Sequence, residues 1–191
     1  TGGVGLDINL KNMSSTTGLD VSVQNSNIRS GSANFSGVNV SLESVSRATH
    51  IGELTLSDST VEGYSVSTSA NSILYAAIDQ ASVRNSRIQD GAANPNTRGI
   101  TYTLNRTVVG DLRVEDNLSL RNVAVTTTDS PLHTVSISDN PNFNVSGFVA
   151  TDTIRDAIRI NATSTNAAGT QRSDVTNLRI SGNTVTGDLN N

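Results

Sequence analysis

Arginine side chains cluster in one stretch of this chain, and they define the chemistry that the sequence offers most clearly. Arg84 and Arg87 each flank an inward apolar position of an alternating pattern, so both are expected to point outward, with Asp90 and Arg98 following on the next loop. A guanidinium group binds carboxylates and sulfates through two parallel hydrogen bonds. The patch therefore predicts contact with acidic or sulfated glycans, or charge pairing with another copy of the chain. The alternative is a solvated strand edge that binds nothing.

Acidic side chains that could catalyse a reaction are spread along the chain. A polysaccharide-cutting enzyme needs clustered carboxylates as general acid and base, or as a calcium cradle. The candidates are Glu115-Asp116 and the pair Asp152/Asp156. Glu115-Asp116 occupies a predicted corner, where acidic residues are expected in any case. The sequence therefore predicts no catalytic centre and no cofactor.

Composition excludes further classes of protein. The chain has 191 residues, no cysteine and a formal net charge of −4. Without cysteine there are no disulfides, cysteine-ligated metals or cysteine nucleophiles, and the negative charge disfavours a nucleic-acid partner. His50 and His133 each lack a second histidine nearby, so no structural metal is expected. No apolar run has the length to span a membrane, so no membrane insertion by this segment is expected.

A short unit recurs along the chain and organises the elements that carry these side chains. Two apolar residues alternate with polar ones, an Asn, Asp or Gly corner follows, and a third apolar residue comes five positions after the second. The stretch Glu53–Thr68 shows this most clearly, with Asp58-Ser59 at the corner. Matching copies begin at Val21, Ala81 and Leu178. A chain that bends at each corner and keeps going is one coil of a β-solenoid.

These repeats predict an all-β fold: a single-stranded right-handed parallel β-helix of roughly eight or nine coils, in one domain over residues 1–191. Aromatic residues make up only 3% of the chain, which suits a narrow solenoid interior better than a wide globular core. No segment shows sustained helical periodicity, and no linker divides the chain. The residues predicted to point inward are Leu54, Leu56, Val61, Val83, Ile88, Leu112, Val114, Ile137 and Ile180.

The apolar-x-apolar-x-Asn/Asp-x-x-apolar units resemble right-handed parallel β-helix repeats. The absence of cysteine, the abundance of Ser, Thr, Asn and Gly, and phrases such as L-T-L-S-D-S-T-V-E-G resemble the passenger domains of bacterial autotransporter adhesins and two-partner secreted filaments. That resemblance implies a secreted segment at a Gram-negative cell surface, tethered through the outer membrane. It implies attachment to a host glycan or surface protein, or self-association in aggregates and biofilm. The start at Thr1-Gly2-Gly3 is expected of a piece of a longer passenger.

The resemblance to a β-helix also brings in a rival class, the polysaccharide-active enzymes such as pectate lyases, polygalacturonases and phage tailspikes. The sequence contains neither a G-H-G nor a D-D doublet of the polygalacturonase type. We therefore expect a binding protein and not an enzyme.

Overall fold

The computed structural model describes residues 4–14, 16–30, 36–70, 74–89, 99–144, 156–165 and 172–186. Within these ranges every regular element is a β-strand, and no helix is long and apolar enough to cross a membrane. The strands in chain order are β1 (Leu6–Lys11), β2 (Leu19–Gln24), β3 (Asn27–Ile28), β4 (Val38–Ser44), β5 (His50–Ser57), β6 (Thr60–Glu62), β7 (Tyr64–Ala70), β8 (Ala76–Arg84), β9 (Arg87–Gln89), β10 (Ile100–Asn105), β11 (Thr107–Glu115), β12 (Val123–Thr128), β13 (Leu132–Ser138), β14 (Phe143–Asn144), β15 (Ile158–Thr163), β16 (Val175–Ser181) and β17 (Val185–Thr186).

Two long parallel sheets and one shorter face contain these strands. Sheet A has the order β1-β4-β7-β10-β12-β15, and sheet B has the order β2-β5-β8-β11-β13-β16. Sheet C combines β3-β6-β9 with β14-β17, and parallel bridges at Arg87–Ser119 and Leu120–Phe143 connect its two parts. The chain visits sheets A, B and C in turn and then returns to sheet A one strand further on. The prediction of an all-β architecture of stacked parallel strands is confirmed, and this arrangement is consistent with a β-solenoid.

The number of coils is not confirmed at eight or nine, because the described residues supply six strands to each long sheet. The register shows why a uniform spacing of roughly 20–25 residues miscounts. One return to sheet A takes 23 residues (Ile100 to Val123) and another takes 36 (Tyr64 to Ile100). The extra residues lie in the connections between strands, as between β9 and β10.

Aliphatic side chains, mostly Val, Leu and Ile, fill most of the interior of the stack. Eight of the nine residues predicted to point inward are at most 1% exposed. Burying each of them contributes roughly 1.5–3 kcal/mol relative to leaving it in water. Ile180 is the exception: it is in register with buried Ile137, yet it is 50% exposed. It lies on β16, the last strand of sheet B, where no further described strand covers it.

The corner between sheets B and C repeats in every coil. One residue there has a positive φ angle: Asn25, Asp58, Asn85, Asp116 and Asp139 at 49–55°, and Gly182 at 65°. Asn and Asp tolerate this left-handed conformation better than other L residues, and Gly adopts it without steric cost. The Asn, Asp and Gly corners of the sequence repeat are therefore the points at which the backbone turns.

A ladder of polar side chains runs along this corner, one residue after each positive φ. The backbone N–H of Ser59 donates to Ser86 Oγ at 3.2 Å, and that of Ser86 donates to Asn117 Oδ1 at 3.1 Å. Asn117 Nδ2 donates to Asn140 Oδ1 at 3.0 Å, and Asn140 Nδ2 donates to Asn183 Oδ1 at 2.8 Å. Burying a polar group costs free energy unless the group is hydrogen-bonded. Here the corner side chain of each coil forms hydrogen bonds with polar groups of the adjacent coil.

Sheet B has an aligned bulge that the sequence pattern did not reveal. In β5, β8, β11 and β13, successive inward residues are three positions apart, as in Ile51/Leu54 and Ile78/Ala81, so two consecutive residues face outward. Gly110 lies in the bulge of β11, and only glycine fits there because a Cβ would collide with the backbone oxygen of Asp79 on β8. Bulges redirect side chains. This one adds outward polar groups to the face of sheet B.

Candidate functional site

The two arginines that the sequence singles out are both exposed, but they lie on different sheets. Arg84 ends β8 on sheet B, and Arg87 begins β9 on sheet C. The corner residue Asn85, with a φ of 50°, turns the chain between them. Asp90 and Arg98 lie outside the described residues, so the predicted patch of four is represented by two arginines on adjoining faces.

Arg84 lines a cleft on the outer face of sheet B. We call it the sheet B cleft; it has a volume of about 260 Å³. Its lining comes from strands β5, β8 and β11, which are consecutive in the sheet. The lining residues are Glu53, Gln80, Ser82, Val83, Arg84, Asp111, Arg113 and Glu115.

Parallel register brings these residues together from distant parts of the chain. Glu53, Gln80 and Asp111 form one row across the three strands. Ser82 is next to Arg113, and Arg84 is next to Glu115. Each row therefore places residues about 4.8 Å apart that are separated by 27 or more positions in the sequence.

Hydrogen bonds and one ion pair hold the charged groups of the cleft in place. Arg113 pairs with Asp111, with 3.2 Å between Nη2 and Oδ2. Thr55 Oγ1 donates to Glu53 Oε1 at 2.6 Å, and Ser136 Oγ donates to Glu115 Oε1 at 2.7 Å. Each of the three carboxylates therefore has a fixed neighbour.

The charge balance of the cleft changes the ligand that its chemistry favours. Glu53, Asp111 and Glu115 provide three negative charges against the two positive charges of Arg84 and Arg113. An acidic or sulfated glycan would meet like charges here, which costs binding free energy. Alternating carboxylates, guanidinium groups and hydroxyls instead offer acceptors and donors for the hydroxyl groups of a neutral sugar chain.

Sequence reasoning missed this cleft because it depends on which residues are neighbours across strands. The sequence pattern places both residues of Glu115-Asp116 in one corner, but the structure gives them different positions. Glu115 ends β11 and lines the cleft, whereas Asp116 is the exposed corner residue with a φ of 55°. Aligning the repeat copies around Leu54, Ala81 and Leu112 would have placed Glu53, Gln80 and Asp111 in one row, and that alignment was the signal available.

The remaining candidates for chemistry do not converge. Among the described residues no group of three or more His, Cys, Asp and Glu side chains could hold a metal ion. His50 Nε2 lies 3.0 Å from both carboxylate oxygens of Asp79, next to the bulge line of sheet B. His133 and Asp156 are exposed, and Asp152 lies outside the described residues.

A smaller cavity of about 180 Å³ lies on sheet C beside Arg87. It is lined by Ile88, Gln89, Ser119, Leu120, Arg121 and Asn144. Its polar lining consists of two side-chain amides, one hydroxyl group and one guanidinium group, and no carboxylate is among the described lining residues. It therefore offers fewer polar contacts than the sheet B cleft.

The outer face of sheet A differs in character from that of sheet B. The nine residues of β7, β10 and β12 that alternate with the core positions are all uncharged, and one of them, Ala124, is itself buried at 2% exposure. Seven of them carry hydroxyl groups. The charges on this face lie only on β1, β4 and β15, toward the two ends of the sheet.

Comparison with known proteins does not assign the chain to a family. No family model matches the chain, and no curated protein or solved structure matches it at a significant level. What the structure itself defines is the class: an all-β protein of stacked parallel sheets with polar outer faces.

Proposed function

We propose that this chain is the adhesive segment of a secreted bacterial surface protein, a right-handed β-helix that attaches to a glycan or to its own kind through its outer faces. It would act by binding and would carry out no chemical reaction. The support is the pairing of a repetitive parallel architecture with outer faces rich in hydrogen-bonding groups.

Right-handed coiling is the handedness that parallel strands favour. A connection between parallel strands of one sheet is right-handed in about 98% of cases, because twisted strands pack back onto their sheet only that way. Every strand of sheets A and B pairs in parallel with the strand of the next coil. A rod built this way repeats its outer faces at intervals of about 4.8 Å, so weak contacts with a repeating ligand add up along it.

The sheet B cleft is the observation that carries the proposal. Its carboxylates accept hydrogen bonds, its guanidinium groups donate them, and its rows run along the rod. A neutral polysaccharide presents hydroxyl groups at a regular repeat and can occupy successive rows. The occupant that fits this chemistry is a neutral glycan chain lying along sheet B.

Binding suits the carboxylates of the cleft better than catalysis does. Glycosidases that use two carboxyl groups leave room between them for the scissile bond and, in inverting enzymes, for a water molecule. Glu53 and Asp111 are two strands apart in one row, and Gln80 lies between them. Glu53 accepts from Thr55 and Asp111 pairs with Arg113, so both carboxylates already serve as held acceptors.

The test is glycan binding by variants of the cleft. We expect Arg84→Ala with Arg113→Ala to weaken binding to immobilised neutral polysaccharides at least tenfold, because both donors are lost. Unfolding free energy should change by less than about 0.5 kcal/mol, because both side chains are exposed. Arg87→Ala on sheet C removes an exposed arginine from a different face, and this matched control should bind like the wild type.

Two outcomes would contradict the proposal. The first is equal binding by the double variant and the wild type, which would remove the cleft from the function. The second is release of shortened oligosaccharides from any polysaccharide by the purified chain, which would establish the enzyme class instead.

A further inference from the structure

We propose that the sheet B cleft selects an extended β-1,4-linked hexose chain of the glucose or mannose type, which lies across the strands with one sugar ring over each of β5, β8 and β11. The inference rests on the proposed function and deepens it by naming the linkage class of the glycan and its direction. The observation that carries it is a row of acceptor oxygens that the strand register repeats once per coil.

This row presents an acceptor oxygen on three successive strands. It consists of Glu53, Gln80 and Asp111, which are in register on β5, β8 and β11. Adjacent strands are about 4.8 Å apart, so a carboxylate, an amide and a second carboxylate follow one another at that spacing. A ligand that matches the row must therefore present a hydrogen-bond donor at each strand spacing along one of its edges.

Contacts within the chain hold the two carboxylates of the row and leave acceptor capacity on each. Thr55 Oγ1 donates to Glu53 Oε1 at 2.6 Å, and Arg113 Nη2 donates to Asp111 Oδ2 at 3.2 Å. Each contact uses one of the two oxygens of an ionised carboxylate. The second oxygen can accept from a ligand hydroxyl, and such charge-assisted bonds are stronger than neutral ones.

The middle strand supplies an amide and a guanidinium group on opposite sides of a shallow floor. Gln80 and Arg84 are both exposed, and neither side chain has a hydrogen bond or ion pair within the described part of the chain. Ser82 lies between them, with its Oγ 3.2 Å from Oγ1 of the buried Thr55. Four residue steps along β8 separate the two walls by about 13 Å, which accommodates one flat sugar ring with a hydrogen bond at each edge.

A β-1,4 linkage between glucose or mannose units meets both requirements. Its two bonds leave the ring equatorially at opposite ends, so the chain stays extended and advances by about one ring length, close to one strand spacing, per sugar. Successive rings face opposite ways, yet each ring has its C2 and C3 hydroxyls on one edge and its C6 hydroxyl on the other. Either edge therefore presents a donor to Glu53, Gln80 and Asp111 in turn.

An α-1,4 linkage does not match the acceptor row. Its axial bond at C1 turns the chain at every sugar, so an α-linked chain curls and its hydroxyls leave the row after one strand. Acidic chains are disfavoured for a different reason, because the cleft has three carboxylates against two guanidinium groups. Linkage and charge together define the ligand as a neutral, extended β-1,4-linked hexose chain.

The experiment is isothermal titration calorimetry of the purified chain with soluble β-1,4-linked glucose or mannose oligomers of two to four sugars. The third sugar should raise the affinity about threefold to tenfold, because it adds a hydrogen bond on the acceptor row. The fourth should change it less than about twofold, because the cleft is lined by three strands. The matched ligand control is the α-1,4-linked glucose trimer, which should bind at least about tenfold more weakly than the β-linked trimer.

Two substitutions in the acceptor row test the direction of the glycan across the strands. Gln80→Ala removes the central amide and Glu53→Gln removes the charge of the acceptor on β5, so each should weaken binding of the β-linked trimer about threefold to tenfold. A glycan that ran along β8 alone would be affected by Gln80→Ala and not by Glu53→Gln. Gln89→Ala removes an exposed glutamine from sheet C, and this matched control should bind like the wild type. All three side chains are exposed, so the urea midpoint of each variant should stay at the wild-type value.

Three results would overturn this inference and leave the proposed function standing. They are equal affinity for the α-linked and β-linked trimers, equal affinity for the β-linked dimer and trimer, and trimer binding that Glu53→Gln leaves unchanged. In each case, glycan binding that is weakened by Arg84→Ala with Arg113→Ala would still assign the cleft to a neutral glycan. Absence of binding to both oligomer series and to immobilised neutral polysaccharides would overturn the inference and the proposed function together.

Discussion

Two tyrosine side chains lie fully inside the stack, where burying their hydroxyl groups reduces the free energy of unfolding. Tyr64 and Tyr102 are at most 1% exposed, and their rings meet edge to face with centroids 6.1 Å apart. Among the described residues, neither phenol oxygen has a hydrogen-bond partner. Both tyrosines alternate in phase with the inward apolar residues of β7 and β10. Burial raises the pKa of Tyr102, and burial followed by the neighbouring Tyr102 raises the pKa of Tyr64.

These raised pKa values predict a loss of stability in alkali. The unfolded tyrosines ionise near pH 10, whereas the folded ones keep their protons to higher pH. Their contribution is therefore complete below about pH 10 and falls as the pH rises toward the folded pKa, by about 1.4 kcal/mol per pH unit for each tyrosine. We expect the double variant Tyr64→Phe/Tyr102→Phe to lose this slope in urea unfolding measured from pH 8 to 12.

The same variants separate the hydroxyl groups from the rings. At pH 7 the double variant should be as stable as the wild type or more so, because two unpaired buried hydroxyls are removed while the ring packing remains. Tyr75→Phe leaves both buried phenols in place and is the matched control that keeps the slope. An alkaline slope in the double variant as steep as in the wild type would show that other groups control it.

At the scale of elements, the corner between sheets B and C is the part that the sequence predicts best. Its signal is local: an Asn, Asp or Gly adopts positive φ, and a Ser or Asn follows. The aligned bulge of sheet B left no such signal. In β8, for example, the strand begins at Ala76 and bulges after Ile78. The rows of the sheet B cleft depend on register between strands far apart in the sequence, so only an alignment of the repeat copies could have predicted them.

The corner ladder gives an element-scale prediction at Asn140. Its Nδ2 donates to the carbonyls of Val114 and Ser138, both at 2.9 Å, and its Oδ1 accepts from Asn117. Asn140→Ala removes these bonds and takes away the acceptor of the buried backbone N–H of Asn117, so it should cost about 3 kcal/mol of unfolding free energy. Serine fills the equivalent position at Ser59 and Ser86, so Asn140→Ser should cost about half as much.

Urea unfolding measures both costs. The exposed Asn9→Ala on the outer face of sheet A is the matched control, and it should change the free energy of unfolding by less than about 0.5 kcal/mol when the chain is dilute. If Asn140→Ala changed the free energy of unfolding as little as this control, the ladder would result from the coil geometry without stabilising the fold.

At the scale of the whole molecule, each coil is supported only by its neighbours, so stability falls toward the ends of the described stack. The last strands expose apolar side chains that lie in the core rows: Leu178 at 52%, Ile180 at 50% and Val185 at 53%. In a solenoid the folding free energy is close to a sum of coil terms and interfaces between adjacent coils. Terminal coils therefore open at a lower free energy than central ones, and hydrogen exchange should be slowest in β8 and β11.

A matched pair of substitutions in one inward row tests this gradient. Ile137 is fully buried between β11 and β16, whereas its neighbour Ile180 on β16 is half exposed. Ile137→Ala removes a buried side chain and leaves a cavity, so it should cost about 2–5 kcal/mol in urea unfolding. Ile180→Ala removes a side chain that is only half buried, so it should lower the free energy of unfolding by about 1 kcal/mol. The faster hydrogen exchange should be confined to β16. Equal costs for the two substitutions in dilute solution would show that Ile180 is covered in the folded chain and that the stack has no weaker end there.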